Sequence, residues 1–376
     1  MKILEDFHLR HGAVLAGRVV QSPMVTRGST EEGFVTEENI AYYDARSKVA
    51  AAIITEASSV SEHGLAFPNG LSFASDEHIE GLTKLAKAIK QNGAKAIAQL
   101  HHGGRESRVT LEREGTTYAP SQVNFSFLDH EPTEMTEEQI QSVIIEFGEA
   151  TRRAIESGFD GVEIHGANHY LLQQFFSAFS NRREDDWGGS LEKRMAFPLA
   201  VVAEVKRVIV EANAPADFIL GYRISPEEIH GDNIGYSFRE SLKLAKELSK
   251  YELDYLHISL RGGYASTPID ESEQTSLAEL FKEAIGPETA LITVSEVFDL
   301  NSAEDALNYG DLVAIARAAL IEPEFLEKIR QGKAEQIAQA ISPQRMPIVK
   351  WPNGLIEWLT GENTLPDVPG IETIKK

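Results

Sequence analysis

Short apolar runs rich in Val, Ile, Leu and Ala alternate along this chain with longer segments whose apolar residues recur at helical spacing. The runs fall at 19–25, 51–60, 94–100, 161–165, 218–224, 255–260, 291–297 and 312–316. Several are apolar almost throughout, which marks parallel strands covered on both faces. Amphipathic stretches at 36–48, 76–91, 137–157, 191–212, 238–251, 276–285, 303–309 and 322–331 predict the intervening helices. In the third of these, Ile140, Val143, Ile144, Phe147 and Ile155 form one stripe. Thr136 with Gln139, and Ser237 with Glu240, have the spacing of a capping box at a helix start.

Eight strand–helix units predict an α/β fold, a single (β/α)8 TIM barrel over residues 1–335. Residues 336–376 are then a C-terminal tail that packs on the barrel or on a neighbouring subunit, with Trp351, Pro352, Trp358 and Pro366 as its contact candidates. The 376 residues exceed the ~250 typical of such barrels by an amount that loop insertions absorb. A doubly wound sheet is the structural rival. Its G-x-G-x-x-G turn is missing, because the first strand runs into Ser22-Pro23-Met24-Val25-Thr26-Arg27-Gly28.

A barrel places its active site at the C-terminal ends of its strands. The third strand ends in Gln99-Leu100-His101-His102, where Gln99 and His101 share one face. The adjacent histidines point apart, so no metal site is expected. On the fourth strand Glu163 and His165 share a face, and Asn168 and Tyr170 follow in one loop. Neutral His and Asn donate to a carbonyl or phenolate oxygen, and Tyr, with a pKa near ~10, can supply a proton. Arg223 interrupts the apolar fifth strand; it either meets a carboxylate such as Glu163 or holds an anionic ligand. Arg317 follows the eighth strand, where barrels bind phosphate and a planar guanidinium suits it.

Composition narrows the chemistry. The absence of cysteine excludes disulfides, thiolate zinc, iron–sulfur clusters and a Cys nucleophile. With 36 Lys plus Arg against 58 Asp plus Glu, the net charge of −22 repels nucleic acid and anionic lipid. No run approaches the ~20 apolar residues of a membrane span, and the acidic start is not a secretory signal, so a cytoplasmic enzyme is expected. Lys48, Lys84 and Lys206 lie on predicted helices or their ends, and no strand offers an inward lysine, which leaves a Schiff-base aldolase without a nucleophile.

Taken in order, these motifs resemble the Old Yellow Enzyme family of FMN-dependent NAD(P)H oxidoreductases, or ene-reductases. The resemblance rests on SPM, ITEASSV, QLHHGGR, the long block GVEIHGANHYLL…SNRREDDWGGSLEKR, GYRIS and AIARAALIEP, and covers roughly the first 330 residues. It implies that Pro23, Met24 and Ala57 pack beside the flavin ring, that Gln99 meets its pyrimidine edge and that Arg223 lies at N1 and O2. It implies further that His165 and Asn168 grip a substrate carbonyl oxygen, that Tyr170 protonates the substrate and that Arg317 binds the phosphate. His101 falls where many members carry an aromatic that shapes the substrate pocket. The implied reaction passes hydride from NADH or NADPH to FMN N5, then to the β-carbon of an α,β-unsaturated carbonyl or similar electrophile. Homo-oligomers are common in the family; nothing in these residues sets a state.

Four sites depart from the pattern. Val25 stands where a Thr or Cys usually bonds flavin O4, with Thr26 one residue on as a substitute. His169 replaces a glycine, and its side chain either narrows the pocket or points to solvent. Ser295 and Glu296 stand where glycines are usual, and Ala316 replaces the glycine before Arg317. These changes predict a shifted flavin potential and weaker FMN retention. They also motivate an alternative, a barrel that binds flavin weakly and serves as a quinone or flavin reductase or as a non-catalytic ligand-binding protein.

Overall fold

The computed structural model describes residues 1–260, 262–270, 272–361 and 367–375. Eight parallel strands form the barrel: β1 Val19–Gln21, β2 Ala52–Ile54, β3 Lys95–His101, β4 Gly161–Gly166, β5 Ile219–Ile224, β6 Tyr255–Ile258, β7 Ala290–Val294 and β8 Leu312–Ile315. Each pairs with its neighbour in chain order, and β8 closes on β1 through Val313↔Val19 and Ala314↔Val20. Apart from Lys95, every residue of these strands is buried. That is why their sequences are apolar without alternation. Lys95 sits at the N-terminal end, 3.8 Å from Asp160 and 3.7 Å from Asp217, away from the catalytic end of the barrel.

The outer helices are α1 Glu37–Ala45, α2 Ile79–Lys90, α3 Glu137–Glu156, α4 Leu191–Glu211, α5 Phe238–Ser249, α6 Leu277–Ile285, α7 Leu300–Ala306 and α8 Phe325–Arg330. Both expected capping boxes form. Thr136 N–H donates to Gln139 Oε1 at 2.9 Å, and Ser237 N–H to Glu240 Oε2 at 3.1 Å. In α3 the stripe of Ile140, Val143, Ile144 and Phe147 is buried against the barrel and α4, and Ile155 is half-buried at its end. Truncating Phe147 to Ala would cost about 3–5 kcal/mol, the range for a fully buried aromatic.

Strand ends differ from the apolar runs for identifiable reasons. β1 stops at Gln21 because Pro23 has no N–H for the ladder. β2 stops at Ile54: Glu56 N–H turns to Tyr43 Oη at 2.9 Å, and pairing resumes only at Ser58–Ser59. β7 stops at Val294 because Ser295 and Glu296 adopt φ of 96° and 59°, which no extended strand accommodates. The last predicted helix, 322–331, begins only at Phe325, after Pro323, and a short helix that the pattern did not predict, Arg317–Ile321, precedes it. Helix α7 starts earlier than its apolar pattern, because Asp299 and Ser302 form a capping box. Three further elements crowd the C-terminal mouth: the helices Arg108–Glu114 and Leu171–Phe176, and an antiparallel hairpin of Glu228–His230 with Asn233–Tyr236.

Residues 346–361 pack on the barrel. Arg46, fully buried, donates to the carbonyls of Val349 at 2.7 Å, Ala319 at 3.0 Å and Leu320 at 3.1 Å. Trp351 Nε1 donates to Leu320 O at 2.9 Å, Pro352 is buried, and the Arg27 guanidinium stacks 4.8 Å from the Trp358 ring. Pro366 lies outside the described residues. Among the described residues, no helix is long and apolar enough to cross a membrane.

Candidate active site

Register assembles the polar cluster. Gln99 lies beside Glu163 across β3 and β4, His165 beside Arg223 across β4 and β5, and Arg223 beside His257 across β5 and β6. Glu163 is fully buried. Its Oε1 accepts from Gln99 Nε2 at 2.6 Å, and its Oε2 from His257 Nδ1 at 2.9 Å. Burial alone would raise the Glu163 carboxyl, but His257, Arg223 and the Gln99 bond outweigh burial and leave it below its ordinary range. With its amide nitrogen committed to Glu163, Gln99 keeps its carbonyl oxygen as an acceptor.

Arg223 does not form an ion pair with Glu163 or with any carboxylate among the described residues. It is 9% exposed, its Nη2 makes one 3.3 Å bond to Ser259 Oγ, and its buried Nε has no partner. A buried guanidinium so weakly satisfied suits an anionic or acceptor-rich ligand, while Glu163 acts on it only at longer range.

His165 is 3% exposed, and its Nδ1 accepts from Ala167 N–H at 3.3 Å. That contact assigns the ring proton to Nε2. Burial, then His101 and Arg223, hold His165 well below the ordinary histidine pKa, so it is a neutral donor. Asn168 occupies the left-handed region at φ 55°. Its N–H donates to Ser225 Oγ at 2.9 Å, and its Oδ1 accepts from Ser259 Oγ at 2.8 Å, which orients Nδ2 as a donor. Ser259 therefore touches both Arg223 and Asn168.

Tyr170 closes the group. Burial first, then Glu106, raises its pKa, so the phenol stays protonated. Its ring centroid lies 4.3 Å from His101 and 5.2 Å from His165, both edge-on. Phe67 stands 5.9 Å from both His101 and Tyr170. Burial, with His102 adding to it, lowers His101 to about 3, so it is neutral; its Nε2 is buried without a partner.

A cavity of about 180 Å³ runs from Pro23 and Met24 past Arg223 to Ser295, Glu296, Ala316 and Arg317. Arg223 is thus shared by this cavity and the donor cluster. Val25, half-buried, and Ala57, 8% exposed, lie outside the cavity lining. Thr26 cannot replace the missing hydroxyl of position 25. It is fully buried, and it donates from Oγ1 to Glu56 Oε1 at 2.9 Å and from its N–H to Glu56 Oε2 at 2.5 Å. Glu296 does not turn into the cavity as a bare charge; its Oε1 accepts from Arg317 Nη2 at 2.8 Å. His169 does not point to solvent; it lines a cavity of about 250 Å³ beside Ser225 and Ser259. Its side chain is 19% exposed, and Nδ1 lies 3.8 Å from Glu228 Oε2.

His257, Ser259, Ser225, Phe67 and Glu56 are site residues that sequence reasoning passed over. Ser259 directly follows β6, so a polar residue at that strand end was the available signal. Ser225 directly follows β5 and gave the same signal, whereas Phe67 and Glu56 carried no periodic signal of their own.

Residues 4–336 match the model of the FMN-oxidoreductase family described as NADH:flavin oxidoreductase / NADH oxidase. The chain is 41% identical over 343 residues to a probable NADH-dependent flavin oxidoreductase of Bacillus subtilis, covering 90% of each chain. It is also 41% identical over 332 residues to an NADH:acrylate oxidoreductase of Vibrio harveyi, covering 87% of this chain but only 33% of that relative. An old yellow enzyme homologue from Zymomonas mobilis superposes with a TM-score of 0.77 at 22% identity, over 94% of this chain and 99% of that one, and shares its fold. The chain therefore belongs to the NADH:flavin oxidoreductase / NADH oxidase family, the Old Yellow Enzymes, as an FMN-dependent oxidoreductase that uses a nicotinamide cofactor as reductant.

Proposed function

We propose that this protein is an ene-reductase in which one site serves the nicotinamide reductant and an electrophilic alkene in turn. FMN, when bound, supplies the hydride transfer, from NADH or NADPH and then to the β-carbon of an α,β-unsaturated carbonyl or similar acceptor. Arg223 would hold the flavin's N1–O2 edge, where its unpaired Nε and positive charge stabilise negative charge. The Gln99 carbonyl oxygen would accept from the pyrimidine edge. Pro23, Met24, Val25 and Ala57 would wall the ring, and Ser295, Glu296, Ala316 and Arg317 would form the phosphate end.

His165 Nε2 and Asn168 Nδ2 would donate to the substrate's carbonyl oxygen. Both are neutral donors held in place before substrate arrives, so they favour the state in which charge has built up on that oxygen; one such donor is worth about 3 kcal/mol. Tyr170 then delivers its Oη proton to the α-carbon, and burial keeps that proton in place until it is needed. His101 and Phe67 line the substrate side and exclude water. The observation that carries this reading is the neutral His165 tautomer and the Ser259-oriented Asn168 beside a guanidinium with no carboxylate partner. The Vibrio harveyi relative, named for acrylate, an activated alkene, points the same way.

The Glu296–Arg317 pair favours a second reading, in which flavin is held loosely and the barrel serves mainly as a quinone or flavin reductase. Anaerobic reduction of the FMN-loaded protein by NADH and by NADPH, followed by reoxidation with enones, enals, nitroalkenes and quinones, separates the two. The ene-reductase reading expects stoichiometric loss of an alkene, slowed about 100-fold or more by N168A. Reoxidation by quinones with no alkene consumed would overturn it.

A further inference from the structure

His169, Glu228 and His230 come from two segments, the loop after β4 and the hairpin after β5. One nitrogen or carboxylate oxygen from each lies within 4.8 Å of the others. The His169 and His230 rings are 5.1 Å apart, and His230 is exposed. Glu228 is only 2% exposed. Its Oε1 accepts from Ser177 Oγ at 2.7 Å and its Oε2 from Gln173 Nε2 at 2.8 Å. Among the described residues, neither Lys nor Arg comes within the 4.0 Å ion-pair distance of this carboxylate; His169 is its only neighbour of that kind. Buried Arg105 acts on Glu228 at longer range, but no cation touches the carboxylate, which two neutral donors hold and which can take a further positive charge.

We propose that these three residues form a binding site for one divalent transition-metal ion of the zinc class, which ties the loop bearing Asn168 and Tyr170 to the hairpin. Two imidazoles and one carboxylate oxygen suit borderline ions such as Zn²⁺, Co²⁺ or Ni²⁺, whereas Ca²⁺ and Mg²⁺ demand oxygen sets. Three protein ligands leave a fourth tetrahedral position for water. Donors about 2 Å from a shared ion stand ~3.4 Å apart, so the set must contract slightly. His230, exposed on a hairpin with a register shift beside Glu228, is free to make that adjustment. Ser177 and Gln173 already hold the Glu228 oxygens, the outer support that metal ligands require. His169 has φ 69° and stands between Asn168 and Tyr170, so an ion held there fixes the backbone that aims both groups.

The test is a titration of the full, FMN-loaded chain, stripped with chelator, by ZnCl₂ against a chromophoric zinc indicator. One ion per chain is expected, with affinity at least tenfold weaker in H230A and in H169A and roughly tenfold weaker in S177A, in line with losses on removing ligand support. Thermal unfolding without zinc checks that H230A, altered at an exposed position, remains folded. Absence of stoichiometric binding overturns the proposal, as does zinc bound equally well by the H169A/H230A double variant. Hydrogen exchange of residues 166–171 should slow on adding zinc to the parent chain and not to H230A; exchange that zinc leaves unchanged refutes the tie to the loop. Metal affinity is read without turnover, so its failure is distinct from failure of the ene-reductase reading.

Discussion

Replacing Glu296 with Gln isolates one charge at the proposed phosphate end of the flavin site. The carboxylate now lies 2.8 Å from Arg317 Nη2, so a phosphate seated on the same guanidinium meets a negative charge at close range. At about 5 Å, two unit charges repel by about 1 kcal/mol in water and about 3 kcal/mol at an effective dielectric of ~20. The Glu296 side chain is 59% exposed and that of Arg317 28%, so solvent screens the interaction and the lower part of that range applies. A relief of about 1–2 kcal/mol corresponds to roughly 5- to 30-fold in affinity. E296Q keeps the size of the side chain, so the charge alone changes. Fluorescence quenching on titration of flavin into apoprotein should show FMN binding tightened by that factor, while riboflavin, which lacks the phosphate, shifts by less than about twofold. High salt should shrink the difference as the screening length falls. An FMN-to-riboflavin affinity ratio that E296Q leaves unchanged would refute the reasoning, because it would mean that Glu296 does not contest the phosphate.

Ser259→Ala removes the donor to Asn168 Oδ1 and, among the described residues, the one hydrogen-bond partner of the Arg223 guanidinium; a net bond of about 1 kcal/mol predicts roughly fivefold lower kcat/KM for alkene reoxidation, with thermal stability little changed. Equal reoxidation by S259A and parent would show that Asn168 is oriented by other means. Val25→Thr puts a hydroxyl at the proposed flavin edge and should move the midpoint potential measured by dye equilibration; an unmoved potential would remove position 25 from that edge. Burial, against bonds from Thr26 and Arg27, raises Glu56 from 4.5 to about 7. Between those values the folded chain binds the extra proton, so its stability falls as pH rises from 4.5 toward 7, by an order of 3 kcal/mol in all. E56Q should flatten that slope in thermal unfolding between pH 5 and pH 8, and parallel pH curves for the two proteins would contradict it.

Alternation of buried runs with amphipathic segments was enough to specify eight strand–helix units, because a strand covered on both faces must be apolar throughout and a helix on its outside must be apolar on one stripe. Strand periodicity likewise put Glu163 with His165 and Gln99 with His101 on shared faces, and parallel register carried Arg223 to His165. The remainder depends on contacts between residues far apart in the chain. Asn168 and Ser259 are 91 positions apart, and His169 meets Glu228 across two separate loops. Whether Thr26 faces a flavin or Glu56, and whether Glu296 repels phosphate or pairs with Arg317, follows from the paths of segments that leave the ladder at Gln21, Ile54 and Val294. Local pattern encodes which side of an element is buried; it does not encode which polar groups the closed barrel leaves opposite one another, since those partners are set by packing among elements that share no sequence neighbourhood.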